Sequence, residues 1–311
     1  MEIYDLIIIG GGPAGMTAGI YGARSALKTL VVERGMPGGQ AATTFDIANY
    51  PGFPEGISGP DLAMKMYDQM QNMGAEYLTG EITSMGLEGD LKKIEVDEKT
   101  YLGKAVILAT GSEPRKLNVP GESQYRGKGV SYCATCDGAF YKEKEVVVVG
   151  GGDAAVEEGL YLTRFARQVT IVHRRDKLRA NAVAQKKAFA NPKIRFIWNT
   201  VVEEIIGDET VRGVSLKNLE RESKGEPYQA TLKTDGVFVY VGQDPNIEFF
   251  PDSLKRNLQG YVETDVNLRT SIPGVFAAGD VRDTVLRQLV TATADGAIAA
   301  VSALRYIEAK E

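Results

Sequence analysis

Twice in this chain a short run of β-branched residues breaks into a cluster of glycines, and that repeat constrains the fold more than any other feature. The first copy is Leu6-Ile7-Ile8-Ile9, then Gly10-Gly11-Gly12-Pro13-Ala14-Gly15. A continuous apolar run of this kind marks a parallel strand buried on both faces. A helical stretch follows, then a second apolar strand, Leu30-Val31-Val32, ending at Glu33. Strand, G-x-G-x-x-G, helix and an acid about 20 residues on is the context in which the glycine pattern binds a dinucleotide. The glycines permit a tight turn and close approach to a pyrophosphate, and the helix N-terminus offers free amides and its positive dipole end. Gly10, Gly12, Pro13, Ala14 and Gly15 are therefore candidate pyrophosphate contacts, with Glu33 a candidate acceptor for both ribose hydroxyls.

The second copy is Val146-Val147-Val148-Val149, then Gly150-Gly151-Gly152-Asp153-Ala154-Ala155. Its second strand, Val169-Thr170-Ile171-Val172, ends at His173. The copies superimpose at a constant offset of 140, with Gly10 on Gly150, Gly12 on Gly152, Gly15 on Ala155 and Glu33 on His173. Gly150, Gly152, Asp153, Ala154 and Ala155 are the second set of phosphate candidates. Where the first copy has a carboxylate, the second reads His173-Arg174-Arg175-Asp176-Lys177-Leu178-Arg179. A carboxylate repels a ribose 2′-phosphate, whereas arginines bind it through charge-assisted hydrogen bonds. The first module is expected to take FAD or NAD, and the second NADP(H). Arg174, Arg175 and Arg179 also read as a solvated basic patch, but they stand at the end of the strand that reads the ribose.

A shorter echo supports the duplication. The strand from Lys104 to Ala109 leads into Thr110-Gly111-Ser112-Glu113-Pro114, and Val237 to Val241 leads into Gly242-Gln243-Asp244-Pro245. Gly111 falls on Gly242 and Pro114 on Pro245 at an offset of 131, as strands that close each module and enter a linker. Near the C-terminus, Gly274-Val275-Phe276-Ala277-Ala278-Gly279-Asp280 is a further strand ending in Gly-Asp. Asp280 there either accepts a cofactor hydroxyl or caps the helix that follows, in which Leu289, Ala292, Ala299 and Leu304 are buried candidates.

Between the modules lies Cys133-Ala134-Thr135-Cys136-Asp137-Gly138, and the chain has no other cysteine. A structural zinc site needs four Cys/His ligands, and two Cys with the single His173 do not supply them. A purely structural disulfide is the plainer reading, but so short a loop constrains the unfolded chain little. The spacing suits a redox couple in which one thiolate attacks and the other resolves. Asp137 is either the acid/base for those sulfurs or a turn residue before Gly138.

At 311 residues and 33.7 kDa the chain is long enough for about two domains. A net charge of −5 and a pI near 5.3 give no basic excess for nucleic acid or anionic lipid. No basic leader precedes the first strand and no apolar run approaches the length of a membrane span, so a soluble, cytoplasmic protein is expected.

The order of these motifs, both fingerprints, Cys-Ala-Thr-Cys-Asp-Gly, His-Arg-Arg-x-x-x-Arg and Ala-Ala-Gly-Asp, resembles the bacterial-type, low-molecular-weight thioredoxin reductases, a class of pyridine nucleotide-disulfide oxidoreductase. The resemblance covers essentially the whole chain. It implies an α/β protein of two three-layer, Rossmann-like dinucleotide-binding domains, the NADPH domain inserted in the FAD domain. Residues 1–113 and 245–311 would form the FAD domain, and residues 114–244 the NADPH domain with the redox dithiol. It implies flavin contacts at Gly38, Gly39, Gln40, Asn49, Thr110, Gly111, Gly279, Asp280, Arg287 and Gln288. Cys136 would face the flavin, Cys133 would attack the disulfide of a thioredoxin, and Asp137 would be the acid/base. The resemblance further implies a homodimer, and hinges at Ser112–Asn118 and Gln243–Glu248. Four related flavoenzymes stay in view: a hydroperoxide reductase subunit, a ferredoxin-dependent thioredoxin reductase, a ferredoxin–NADP reductase and a reductase for a small disulfide. The first would carry an extra N-terminal domain, the second should lack the arginine cluster and the third the dithiol. A non-catalytic flavin-bearing redox sensor is the reading from another class.

Overall fold

The computed structural model describes residues 2–43, 47, 49–225 and 229–310. The apolar run before the first glycines is β1 (Glu2–Ile9), and the helix after them is α1 (Pro13–Arg24), with proline in its first turn. Strand β2 (Thr29–Glu33) follows, then α2 (Gly59–Asn72), capped by the Ser58 side chain. Four strands come next: β3 (Glu76–Thr79), β4 (Ile82–Gly86), β5 (Lys92–Val96) and β6 (Lys99–Leu108). Short β7 (Ser112–Pro114) ends this run.

The second series begins with β8 (Val130–Ser131) and the single turn α3 (Ala134–Asp137). Then come β9 (Glu145–Gly150), α4 (Asp153–Leu162), β10 (Gln168–Val172), α5 (Ala182–Ala190) and β11 (Ile194–Ile197). An antiparallel meander, β12 (Thr200–Gly207), β13 (Val211–Asn218) and β14 (Gln229–Lys233), is interrupted by α6 (Leu219–Ser223). Strand β15 (Gly236–Tyr240) closes the series and β16 (Gln243–Pro245) follows. The chain ends with β17 (Val275–Ala277) and the long α7 (Leu289–Glu308).

The chain divides into two compact units, one of residues 1–113 with 244–311 and the other of residues 114–243. In the first, the sheet order is β3-β2-β1-β6-β5-β4, with β17 also on β6. Strands β1, β2, β3, β6 and β17 run parallel, while β4 and β5 add an antiparallel edge. Apolar side chains pack on both faces: Leu6, Ile8, Ile107 and Phe276 beneath α1 and α7 on one, Ile7, Ile9, Val106 and Leu108 on the other. That is why these strands carry unbroken apolar runs rather than alternating ones. In the second unit β11-β10-β9-β15-β8 forms an all-parallel sheet of the same kind. Strands β7 and β16, where the chain passes between the units, pair with each other.

Two expectations about the C-terminal stretch change. Asp280 lies in a 3-10 turn, Gly279–Val281, and does not cap α7, which begins after Gln288. Of its buried candidates Ala299 is fully buried, whereas Leu289, Ala292 and Leu304 remain partly exposed, the turn of the helix carrying them to its margin.

Candidate active site

In the first unit the parts converge on the N-terminus of α1. Gly10 adopts φ +109°, and a Cβ there would stand 2.3 Å from the Ala109 carbonyl oxygen. Gly12, the residue before α1, offers no side-chain cap, so the first amides of the helix are unspent. Glu33 accepts from the Gly11 amide at 2.6 Å and the Gly35 amide at 3.1 Å. The loop at Gly38-Gly39-Gln40 returns to the same spot, with the Gly38 amide on the Gly11 carbonyl and Gly39 against Gly12. Asn49 and Gln288, 239 residues apart in sequence, are joined by a 3.0 Å hydrogen bond. Thr110 and Gly111 are clasped by Asn246, which donates to the Thr110 carbonyl and whose own amide donates to that of Gly111.

Gly279 brings the Asp280 turn against Ala14. Burial pushes the Asp280 carboxyl up to about 6, with Asp295 adding to the rise and Arg287 opposing it. Arg287 lies 4.2 Å over the Tyr261 ring, and its buried Nε has no hydrogen-bond partner. An uncapped helix end, the open Gly111 and an unpaired buried guanidinium nitrogen fit an extended anionic cofactor such as FAD.

The second module repeats the turn. A Cβ on Gly150 would meet the Tyr240 carbonyl at 2.4 Å, as Gly10 meets that of Ala109. Gly152 is uncapped and faces open space, at the head of α4. Ala155 is fully buried, Ala154 is exposed, and Asp153 accepts from the backbone and side-chain nitrogens of Asn181. His173 is packed against Gly151 and is 5 % exposed. Burial, and then the charges of Arg179, Arg175 and Arg174, hold its pKa below the ordinary value, so it is neutral at pH 7. Those three arginines are exposed at the strand end, with the Arg179 amide tied to the Gly151 carbonyl. This arrangement fits the 2′-phosphate of NADPH.

The cysteines form a disulfide that spans α3. The Cys136 amide donates to Cys133 Sγ at 3.2 Å, and Thr135 Oγ1 is 3.3 Å from the same sulfur. Asp137 is partly buried, which raises its pKa, while a 2.6 Å bond from Ser131 Oγ opposes the rise. Ser131 also accepts from the Cys133 amide at 3.1 Å, so one hydroxyl orients both the acid and the first cysteine. Sequence reasoning missed Ser131, and it missed Asn246. Neither belongs to a spacing pattern, because each acts through contacts made only once the loops are folded. No group of His, Cys, Asp and Glu suited to a metal occurs among the described residues.

Two nucleotide cradles and a dithiol in one chain are the parts of an enzyme that passes electrons between a nicotinamide, a flavin and sulfur. The chain belongs to the pyridine nucleotide-disulphide oxidoreductase family, whose model matches residues 4–296. It is 52% identical over 308 residues to a thioredoxin reductase of Bacillus subtilis (strain 168), covering 99% of this chain and 96% of that one. It is 51% identical over 307 residues to one of Listeria innocua, at 99% and 95% coverage. Among solved structures, thioredoxin reductase from Streptococcus pyogenes MGAS5005 superimposes with a TM-score of 0.87 at 48% identity, covering 99% of each chain.

Proposed function

We infer that this chain is an NADPH-dependent thioredoxin-disulfide reductase that carries FAD. The observation that bears most of the weight is the Cys133–Cys136 disulfide on a short turn in the same unit as the arginine-ended nucleotide module. Bound FAD supplies an acceptor for the NADPH hydride and a route for the electron pair to the disulfide.

The rest is the work of this chain's own residues. Residues 1–113 and 245–311 hold FAD, with the α1 amides on its pyrophosphate, Glu33 on its adenosine ribose, and Asp280, Arg287, Gln288 and Asn49 on its flavin side. Residues 114–244 hold NADPH, with Arg174, Arg175 and Arg179 on the 2′-phosphate. When two electrons enter the disulfide, the bond opens: the Cys136 sulfur takes a proton from Asp137 and Cys133 is left as the thiolate. Cys133 is the attacking thiolate: the Cys136 amide and the Thr135 hydroxyl beside its sulfur favour the charged form. It attacks one sulfur of the thioredoxin disulfide, and the other sulfur leaves and is protonated. Cys136 gives its proton back to Asp137 and attacks Cys133 in the mixed disulfide, which restores the internal bond; the second thioredoxin sulfur leaves, is protonated by solvent, and reduced thioredoxin is released.

Replacement of either cysteine by serine should abolish thioredoxin reduction while NADPH still bleaches the flavin. Substantial thioredoxin turnover by the Cys133→Ser protein would sink the assignment. A homodimer in the cytoplasm is part of the same reading and is supported by the family resemblance. A monomer at all concentrations in sedimentation removes the dimer from it.

A further inference from the structure

One hydroxyl beside the dithiol has two acceptors within reach and one proton to give. Ser131 ends β8, is 5 % exposed, and is paired through its backbone with Phe238 of β15. Its Oγ donates to Asp137 Oδ2 at 2.6 Å and lies 3.3 Å from the Cys133 carbonyl oxygen. The same Oγ accepts from the Cys133 amide at 3.1 Å. A serine hydroxyl carries a single proton and two lone pairs, so it can serve only one acceptor fully.

The local hydrogen bonds decide which one. The Cys133 carbonyl already accepts from the Asp137 amide at 3.1 Å, the bond that closes the turn of α3. That carbonyl does not need the Ser131 proton, and the 2.6 Å contact takes it instead. A directed chain results: the Cys133 N–H points at Ser131 Oγ, and the Ser131 O–H points at Asp137. Both dipoles aim their positive ends at the carboxyl, and bonds in such a chain polarise one another. Among the described residues no other hydrogen bond engages the Asp137 carboxyl. Its Oδ2 is thus held and its Oδ1 is not.

We propose that Ser131 is the positioning residue that makes Asp137 an effective proton donor to the dithiol, by holding Oδ2 and stabilising the carboxylate that forms while Oδ1 exchanges the proton. This rests on the acid/base reading of Asp137. As the electron pair enters the Cys133–Cys136 bond, the bond breaks, Cys136 Sγ takes the Oδ1 proton and Cys133 is left as the thiolate. The negative charge that appears on Asp137 is shared with Oδ2, where the Ser131 proton already lies. In the resolving step the proton returns from Cys136 to Oδ1. Ser131 keeps its own proton throughout and never touches the sulfurs.

The surroundings leave this task to Ser131. Burial raises the Asp137 carboxyl above its ordinary value, and the bond from Ser131 is what opposes the rise. The titratable groups facing Asp137 from the neighbouring elements are the Tyr141 and Tyr240 phenols, which burial keeps uncharged at neutral pH. Strand pairing with β15 places Ser131 on the sheet, apart from the turn whose sulfurs change their bonding.

The test follows opening of the disulfide in the FAD-loaded protein after one addition of NADPH, across a range of pH. Samples are quenched with N-ethylmaleimide in denaturant and the alkylated cysteines are counted. The wild-type rate should fall as pH rises through the titration of Asp137, and Asp137→Asn should be slow and lack that inflection. Ser131→Ala should lower the acid-side rate roughly threefold to tenfold and move the inflection to higher pH, since the charged acid has lost its hydrogen bond. Ser131→Thr keeps the hydroxyl on a side chain suited to a strand and should restore both. Equal flavin content, and equal alkylation of both cysteines after dithiothreitol, verify that each variant is folded. A serine with only a structural role would slow the step at every pH and leave the inflection in place. A Ser131→Ala protein with the wild-type inflection, or a Ser131→Thr protein that behaves as the alanine variant, overturns the proposal. Asp137→Asn separates the two claims. If it is slow while Ser131→Ala matches wild type, only the role of Ser131 fails; if it is as fast as wild type, the reading of Asp137 fails and takes the role of Ser131 with it.

Discussion

The two glycine modules of this chain share a backbone plan and differ where chemistry is assigned. In each, the first glycine carries a positive φ and is pressed by the carbonyl of the closing strand. In each, the second glycine is pressed by the side chain that ends the second strand, Glu33 on Gly11 and His173 on Gly151. The third stands at an uncapped helix end, with nothing near a Cβ on Gly152 and only the Gly39 backbone, at 4.0 Å, near one on Gly12. What is common is thus the steric requirement of bringing backbone against a pyrophosphate. What differs is Glu33 against His173 and its arginines, Ala18 against Glu158, Ala109 against Tyr240, and Gly15 against Ala155. In the proposed function the glycines make a nucleotide cradle while the neighbouring side chains decide which nucleotide it takes.

The harshest challenge to that division is Gly15→Ala. A Cβ at Gly15 would lie 1.8 Å from the Gly10 carbonyl oxygen, which is main chain and has nowhere to go. The expected cost is roughly 3–5 kcal/mol with loss of bound flavin. Thermal unfolding and flavin absorbance measure both. A variant with wild-type flavin content would mean that the turn is looser than its glycines suggest.

Next in size is the strand end. Removing Arg174, Arg175 or Arg179 singly should cost about 1.5–3 kcal/mol of NADPH binding, the worth of a hydrogen bond to a charged group. That is roughly tenfold or more in the NADPH-to-NADH ratio of kcat/KM per arginine. Steady-state rates with the two coenzymes check it. An unchanged ratio would reduce the cluster to a solvated patch and erase the main chemical difference between the modules.

Glu158 against Ala18 gives a pH-dependent contrast. In the folded protein burial, and then the Glu157 charge, push the Glu158 carboxyl up to about 7, above the range of an exposed glutamate. Between that range and about 7 the folded state holds the extra proton, so stability must fall as pH rises through that window and level off above it. Glu158→Gln removes this contribution and should gain about 1–3 kcal/mol on wild type between the acid and alkaline ends. Urea midpoints at the two ends of the window test the sign.

Much of this site was legible because its constraints are local. Gly10, Gly150 and the strands before them form a pattern that survives in one dimension, since strand, turn and helix are consecutive. The pairing of Asn49 with Gln288 was not legible from spacing; only the resemblance put both near the flavin. Ser131 and Asn246 carried no signal at all. Their roles come from a burial and an orientation that the sheet order creates. The antiparallel meander of β12 to β14 also went unread, because its alternating strands do not belong to either nucleotide motif.

The smallest expected effect is the mirror of the largest. Ala155 stands where the first module has Gly15, and its methyl group is fully buried. A Cβ built on Gly150 would lie only 2.7 Å from that methyl, so here the methyl occupies the space inside the turn. In the first module the Gly10 carbonyl stands 1.8 Å from where a Gly15 methyl would be, so no such space exists. Ala155→Gly therefore leaves the backbone free to keep its path. It loses one buried methyl and adds chain entropy in the first turn of α4, about 1.5 kcal/mol together. NADPH affinity should be unchanged, since the open face at Gly152 is untouched. Unfolding and coenzyme titration of Ala155→Gly beside Gly15→Ala give the decisive pair. If both cost the same, this position is set by something other than the room inside each turn, and the physical equivalence of the two modules stops at their first three glycines.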